Sequence, residues 1–145
     1  MGILTNIVAA EEDEVVAIGE SLQPVDEWSG ISLRDVGVAK IATLHCLLTG
    51  DLFDDAAALY EPVYVSAAEG ALVLRFADSI VERLLAMDEE ALEAVASELM
   101  ATEEFESSGW SEDEVLAMLD DLAKLAQLAE SQGQAIFAWL HPFKT

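Results

Sequence analysis

The stretch that decides the fold is Gln134-Ala-Ile-Phe-Ala-Trp-Leu140, near the end of the sequence. It is an apolar run of strand length, and Pro142 predicts where it stops, because proline cannot donate to a strand ladder. A second apolar run, which contains several β-branched residues, fills residues 2–10. Since a lone strand leaves backbone amides without partners, we expect these terminal strands to pair with each other or with an internal strand.

Between the two runs, apolar residues recur at helical spacing. They predict helices at residues 11–22, 35–49, 78–87, 89–101 and 112–132. Shorter patterns predict a helix ending at Leu59, strands at 63–65 and 71–76, a loop at 24–34 and a linker at 102–110.

Local chemistry marks the ends of these helices. Asp35 is a predicted N-cap, and Ser111 with Glu114 has the pattern of a capping box. Gly50 and Gly133 are predicted C-terminal stops, because glycine readily adopts the left-handed conformation found there.

The order of elements is strand first, helices in the middle and strand last. This order is typical of an α+β fold in which a small sheet, including the N- and C-terminal strands, is covered by several α-helices. The length of 145 residues predicts one domain spanning residues 1–145.

Acidic residues dominate the charged part of the sequence. Its 29 Asp and Glu residues face 6 Lys and Arg residues, which gives a formal net charge of −23. Nucleic acids and anionic membranes are bound through Lys and Arg, so the composition argues against both as partners. Three alternatives remain open: a basic protein partner, a divalent cation, or acidity that serves only solubility or adaptation to salt.

The sequence also carries signals of location. Cys46 is the single cysteine, so no internal disulfide can form, which suits a reducing, cytoplasmic compartment. The acidic run at residues 11–14 follows the start too soon for a signal peptide. No run of about 18 apolar residues occurs, and we therefore expect no membrane span.

Motifs that carry known chemistry are absent from the sequence. The two histidines and one cysteine lack the spacings of zinc ligands. Neither a glycine-rich phosphate loop nor a nucleophile elbow occurs. Runs of carboxylates lie mostly at predicted helix starts, where the helix dipole stabilises them. The sequence therefore predicts no metal, no cofactor and no catalytic residue.

Three residues remain as candidates for a binding site. His45 ionises near neutral pH and can carry protons; the alternative is a structural histidine whose ring bonds a backbone carbonyl. Trp28 and Trp110 lie in or beside predicted loops, where each can line a groove or partner surface, or hold a loop against the core. His141 is predicted at the surface, and Cys46 is predicted as a small core residue.

Four segments together have the order and motifs of a known family. They are the first strand running into a helix at Glu11, Ile31-Ser32-Leu33 followed by Leu44-His45-Cys46-Leu47-Leu48-Thr49-Gly50, the helices between Ala77 and Leu92, and Trp110 with the long helix and the strand from Ala135 to Leu140. They resemble the YfbM-like family of uncharacterised bacterial domains. The sequence has Val38-Ala39-Lys40 where the family pattern has Lys-x-Trp. The resemblance implies an α+β fold and brings no established activity.

These observations favour a non-catalytic interaction protein that binds a basic partner, as an immunity protein binds a toxin. The alternative is a small ligand-binding or enzymatic domain with a cleft near His45 and Trp110. A mimic of DNA is a third hypothesis, but the carboxylates cluster at helix starts along the whole chain rather than in one stripe. A homodimer also stays open, since exposed strands and tryptophans favour self-association.

Overall fold

The structure is a computed structural model that describes residues 3–21, 23–67, 70–106 and 109–141. Its helices are α1 (Val15–Glu20), α2 (Val38–Thr49), α3 (Phe53–Leu59), α4 (Asp78–Ala86), α5 (Glu89–Met100), α6 (Glu103–Glu106) and α7 (Glu112–Gln132). Its strands are β1 (Leu4–Ala10), β2 (Gly30–Arg34), β3 (Tyr64–Val65), β4 (Leu72–Arg75) and β5 (Ala135–His141). Two 3₁₀ turns, Glu12–Glu14 and Pro24–Asp26, flank α1.

The five strands form one antiparallel sheet in the order β2-β1-β5-β4-β3. The terminal strands β1 and β5 pair along their whole length, from Leu4 opposite His141 to Ala10 opposite Ala135. This pairing and the helices around the sheet confirm the predicted α+β fold and the predicted partnership of the two terminal strands.

Both faces of the sheet are buried in hydrophobic cores. Successive side chains of a strand point to opposite faces, so each strand contributes to both cores. On one face Ile7 and Ile136 pack into the main core with residues of α2, α4, α5 and α7. On the other face Val8, Phe137 and Trp139 form a smaller core that includes Ile18 of α1. Trp139 is therefore a core residue, as predicted, and it lies in the smaller of the two cores.

Most predicted helix ends are confirmed. Ser111 and Glu114 make the reciprocal hydrogen bonds of a capping box. Gly50 and Gly133 end α2 and α7 in the left-handed conformation, with φ of 82° and 67°. The predicted short elements are present as α3, β3 and β4.

The region before α2 differs from the prediction. The predicted loop 24–34 contains strand β2, in which partly buried Ile31 and Leu33 alternate with exposed Ser32 and Arg34. Asp35 is not the N-cap of the next helix, because it turns the chain with a positive φ of 59°. That turn delays the start of α2 by three residues, and Gly37 takes the N-cap position.

Other differences are smaller. The predicted helix 11–22 consists of a 3₁₀ turn and α1, and its predicted last residue, Leu22, lies outside the described residues. The predicted linker 102–110 contains the short helix α6. His141 was expected at the surface but is buried, because β5 continues past Leu140 and pairs with Leu4. Its ring lies 5.4 Å from that of Trp139, between centroids.

Candidate functional site

Trp28 fixes the smaller core to the acidic turn before α1. Its indole Nε1 donates a hydrogen bond to Glu14 Oε2 at 3.0 Å, and its ring packs against the smaller core. The backbone N–H of Glu11 and then this indole hold the pKa of Glu14 below its usual value. Trp28 therefore holds a loop against the sheet, which is one of the two alternatives predicted for it.

His45 lies inside the protein and uses both of its ring nitrogens. Nε2 is 2.8 Å from Asp51 Oδ2, and Nδ1 is 2.9 Å from the hydroxyl oxygen of Tyr60. The prediction that the ring bonds a backbone carbonyl is wrong, because two side chains occupy both nitrogens. His45 is 0% exposed and Tyr60 is 2% exposed.

The positions of the protons in this network follow from the ionisation states of Tyr60 and Asp51, the two residues at its ends. Burial raises the pKa of Tyr60 to about 12, so its hydroxyl is neutral and donates to Nδ1. The hydrogen bond from His45 holds the pKa of Asp51 below its usual value, which keeps that carboxylate ionised. A neutral His45 with its proton on Nε2 satisfies both contacts at once.

The same hydroxyl of Tyr60 contacts the backbone amide of Ala77, at the N-cap of α4. The network therefore joins α2 through His45, the end of α3 through Tyr60, and the start of α4. Only the Asp51 end reaches solvent, since 47% of its side chain is exposed. No substrate can touch the ring of His45 in this conformation. The hydrogen-bond network therefore has a structural role, in which it connects the three helices.

The hydrogen-bond network around Tyr60 predicts that the free energy of unfolding decreases at alkaline pH. Tyr60 has a folded-state pKa of about 12, above the unfolded value of about 10, so its contribution is complete below pH ~10 and disappears as pH rises through 12. We expect the stability advantage of the wild type over Tyr60→Phe to shrink by on the order of 2 kcal/mol over that range. Urea unfolding at stepped pH measures it, and a constant difference between the two proteins would contradict the assignment.

Cys46 follows His45 on α2 but faces elsewhere, because neighbouring helical residues lie about 100° apart. It is half-buried rather than a full core residue. Burial, followed by the nearby charge of Asp51, raises the pKa of its thiol. The thiol is therefore protonated at neutral pH, which does not suit a nucleophile.

Trp110 lines a groove of about 540 Å³ between β2 and the first half of α7. Its ring packs edge-on against Phe105, with 5.8 Å between the centroids. The Nζ of Lys40 lies 5.7 Å from the centroid of the same Phe105 ring. Ten residues line the groove: Ser32, Leu33, Arg34, Asp35, Gly109, Trp110, Glu114, Ala117, Met118 and Asp121. His45 and Trp28 are not among them, so the structure does not bring the three predicted candidates together.

A different surface was missed by sequence reasoning. Six large hydrophobic residues are exposed among those described, and five of them fall within residues 52–65. Four exposed carboxylates accompany them, three within residues 52–65 and one immediately before it. We call this the 52–65 surface; its apolar members are Leu52, Phe53, Leu59, Val63 and Val65, and its acidic members are Asp51, Asp54, Asp55 and Glu61.

Within the described ranges, the structure holds neither a cluster of metal ligands nor a membrane-spanning helix. No group of three or more His, Cys, Asp or Glu side chains in residues 3–21, 23–67, 70–106 and 109–141 is arranged to hold a metal ion. Among the helices of the same ranges, none combines the length and apolar character that crossing a membrane requires.

Comparison with known proteins gives one structural similarity. No protein-family model and no curated protein matches the chain. Among solved structures, the chain is similar to the crystal structure of YfbM, a protein of unknown function from Escherichia coli. The two share 13% sequence identity with a TM-score of 0.46, over 94% of this chain and 99% of that chain. This likeness agrees with the resemblance that the sequence segments predict.

Proposed function

We propose that the protein is a non-catalytic, cytoplasmic interaction protein that binds a basic protein partner, in the manner of an immunity protein. The observation that carries the proposal is the 52–65 surface, where exposed apolar residues and exposed carboxylates are interspersed along the chain. Leu52 is 74% exposed and Leu59 is 54% exposed, and large apolar residues that are exposed in a group mark interaction sites. Cys46, the only cysteine, supports a reducing compartment.

The intramolecular contacts of this protein's few Lys and Arg side chains support a basic partner. Four of the cationic side chains are held by contacts inside the protein: Lys40 and Arg83 by backbone carbonyls, Arg75 by two carboxylates and Lys124 by one. These cations therefore neutralise few of the other carboxylates of a protein whose formal net charge is −23. A partner rich in Lys and Arg would be attracted over distance and would bind faster at low salt.

The 52–65 surface favours such a partner over a second copy of this chain. Two copies would bring together two molecules of the same large negative charge, and like charges oppose association. Sedimentation of the purified protein tests this point. A monomer is the expected result, and a dimer that is lost when the 52–65 surface is mutated would replace the basic partner with self-association.

The alternative of a cleft shared by His45 and Trp110 receives less support. His45 has no exposed surface, and the groove beside Trp110 is lined by other residues. The chemistry that made His45 attractive is used internally, by Tyr60 and Asp51. An interaction role needs none of these groups to be accessible.

Affinity capture tests the proposal. The immobilised protein is exposed to a lysate of its source organism at about 0.05 M salt, where the screening length of exposed charges is about 14 Å. We expect one retained protein with a pI above about 9 that forms a one-to-one complex when both proteins are purified. If no retained protein forms such a complex, or if the one that does is acidic, the proposal is wrong.

A further inference from the structure

Strand β2 forms one edge of the sheet, and no strand of the described residues pairs with its outer side. The bonds from Ala9 N to Ser29 O and from Asp35 N to Ile3 O fix which residues face β1. In an antiparallel ladder these bonded positions alternate, so Ile31 and Leu33 also bond to β1. The remaining three residues, Gly30, Ser32 and Arg34, direct their backbone N–H and C=O groups away from β1, and all three are exposed.

The groove beside this edge has room for an added strand. Its volume of about 540 Å³ lies between β2 and α7, so a strand placed next to β2 would run along it. Its wall on the helix side contains Met118, which is buried, and Trp110, which is half-buried and held by Phe105. The half-buried ring of Trp110 offers apolar contact to the incoming strand, as in known cases of strand addition.

The charges of the groove select the occupant. Asp35, Glu114 and Asp121 contribute three exposed carboxylates, against one guanidinium from Arg34. An extended segment rich in Lys or Arg would be attracted by this excess of carboxylates. Edge strands with unpaired backbone groups are templates for such pairing.

From this geometry we propose that the groove between β2 and α7 binds an extended basic peptide segment as a sixth strand of the sheet. The site lies at the edge opposite β3, away from the 52–65 surface. It therefore goes beyond the proposed function, and either proposal can fail while the other holds.

A synthetic peptide, acetyl-Lys-Val-Lys-Val-Lys-Val-Lys-amide, serves as the probe, and amide NMR shifts of the intact protein serve as the readout. Ser32→Pro is the informative variant, because it removes an N–H that points outward and spares the bonds to β1. Ser32→Ala is its matched control, since both variants lack the hydroxyl. We expect the wild type and Ser32→Ala to bind with shifts at Gly30, residue 32 and Arg34, and Ser32→Pro to bind at least about tenfold more weakly.

A second pair of variants covers the case in which Ser32→Pro does not fold. Ala117→Arg adds a cation to the helix wall of the groove, whereas Ala94→Arg adds the same charge to an exposed position of α5 that is not part of the groove lining. Only Ala117→Arg is expected to weaken the probe, by about tenfold or more. Absence of binding to the wild type, equal binding by both members of each pair, or equal binding of the Glu-Val counterpart of the probe would overturn the proposal.

Discussion

Replacing Leu59 and Val63 together by lysine is expected to weaken binding of the basic partner by about 100-fold or more, which corresponds to ~2.7 kcal/mol. The substitutions remove two apolar contacts of the 52–65 surface and place two cations opposite a basic protein. Both side chains are about half exposed, so the free energy of unfolding should change by less than ~0.5 kcal/mol per site. Titration calorimetry with the purified partner measures the affinity.

The matched control is the double variant Ala94→Lys/Gln127→Lys. Both positions are exposed, on α5 and α7, and the change in net charge is the same. Its affinity should stay within a few-fold of the wild type, because distant charges are screened beyond about 10 Å. An equal loss of affinity in the two double variants would mean that total charge governs binding and that the 52–65 surface has no special role.

Replacing His45 by alanine is expected to destabilise the protein by about 3–5 kcal/mol. The substitution leaves a cavity where a fully buried ring stood, and it leaves the buried hydroxyl of Tyr60 without its acceptor. Many domains have a total stability of only about 5–15 kcal/mol, so the variant would lose a large fraction of it. Equilibrium unfolding in urea at neutral pH measures the difference.

Two comparisons make the His45 result specific. Asp51→Asn alters only the exposed end of the network and should cost much less stability than His45→Ala does. The double variant His45→Ala/Tyr60→Phe should be more stable than the sum of the single losses predicts, because the two residues share one hydrogen bond. A His45→Ala protein as stable as Asp51→Asn would contradict the structural role of the ring.

The sheet and its covering helices could be predicted because their patterns are local and long. The run ending at Leu140 and the run at residues 2–10 are too apolar to be loops, and their pairing follows from backbone chemistry. Strand β2 was not predicted, because it has five residues and only two inward-facing apolar side chains, Ile31 and Leu33. A pattern that short is too weak to outweigh Pro24 before it and Gly30 at its start.

The site could be predicted only in part. His45 was recognised as chemically distinctive, but its partners lie 6 and 15 residues further along the chain. Neither Asp51 nor Tyr60 forms a spacing motif with it, so only the packing of α2 against α3 reveals the network. A search for a hydrogen-bonding acid and phenol after the histidine would have been the one available signal.

The exposure of the apolar residues in the 52–65 surface was not predicted, for a different reason. Leu59 and Val63 have the same hydrophobicity as core residues, and the sequence pattern at 51–65 is short and mixed. Sequence predicts which residues tend to be buried, whereas exposure depends on what the rest of the chain leaves uncovered. The 52–65 surface therefore appears only once the helices and the sheet edge are in place.

Recognition of a basic protein by the 52–65 surface is tested most directly by the salt dependence of the affinity. Calorimetric titration of the captured partner between about 0.05 M and 0.5 M salt is the measurement. We expect the dissociation constant of the wild type to rise by at least about tenfold over this range, because screening removes the attraction between opposite charges. A dissociation constant that does not change with salt would contradict it.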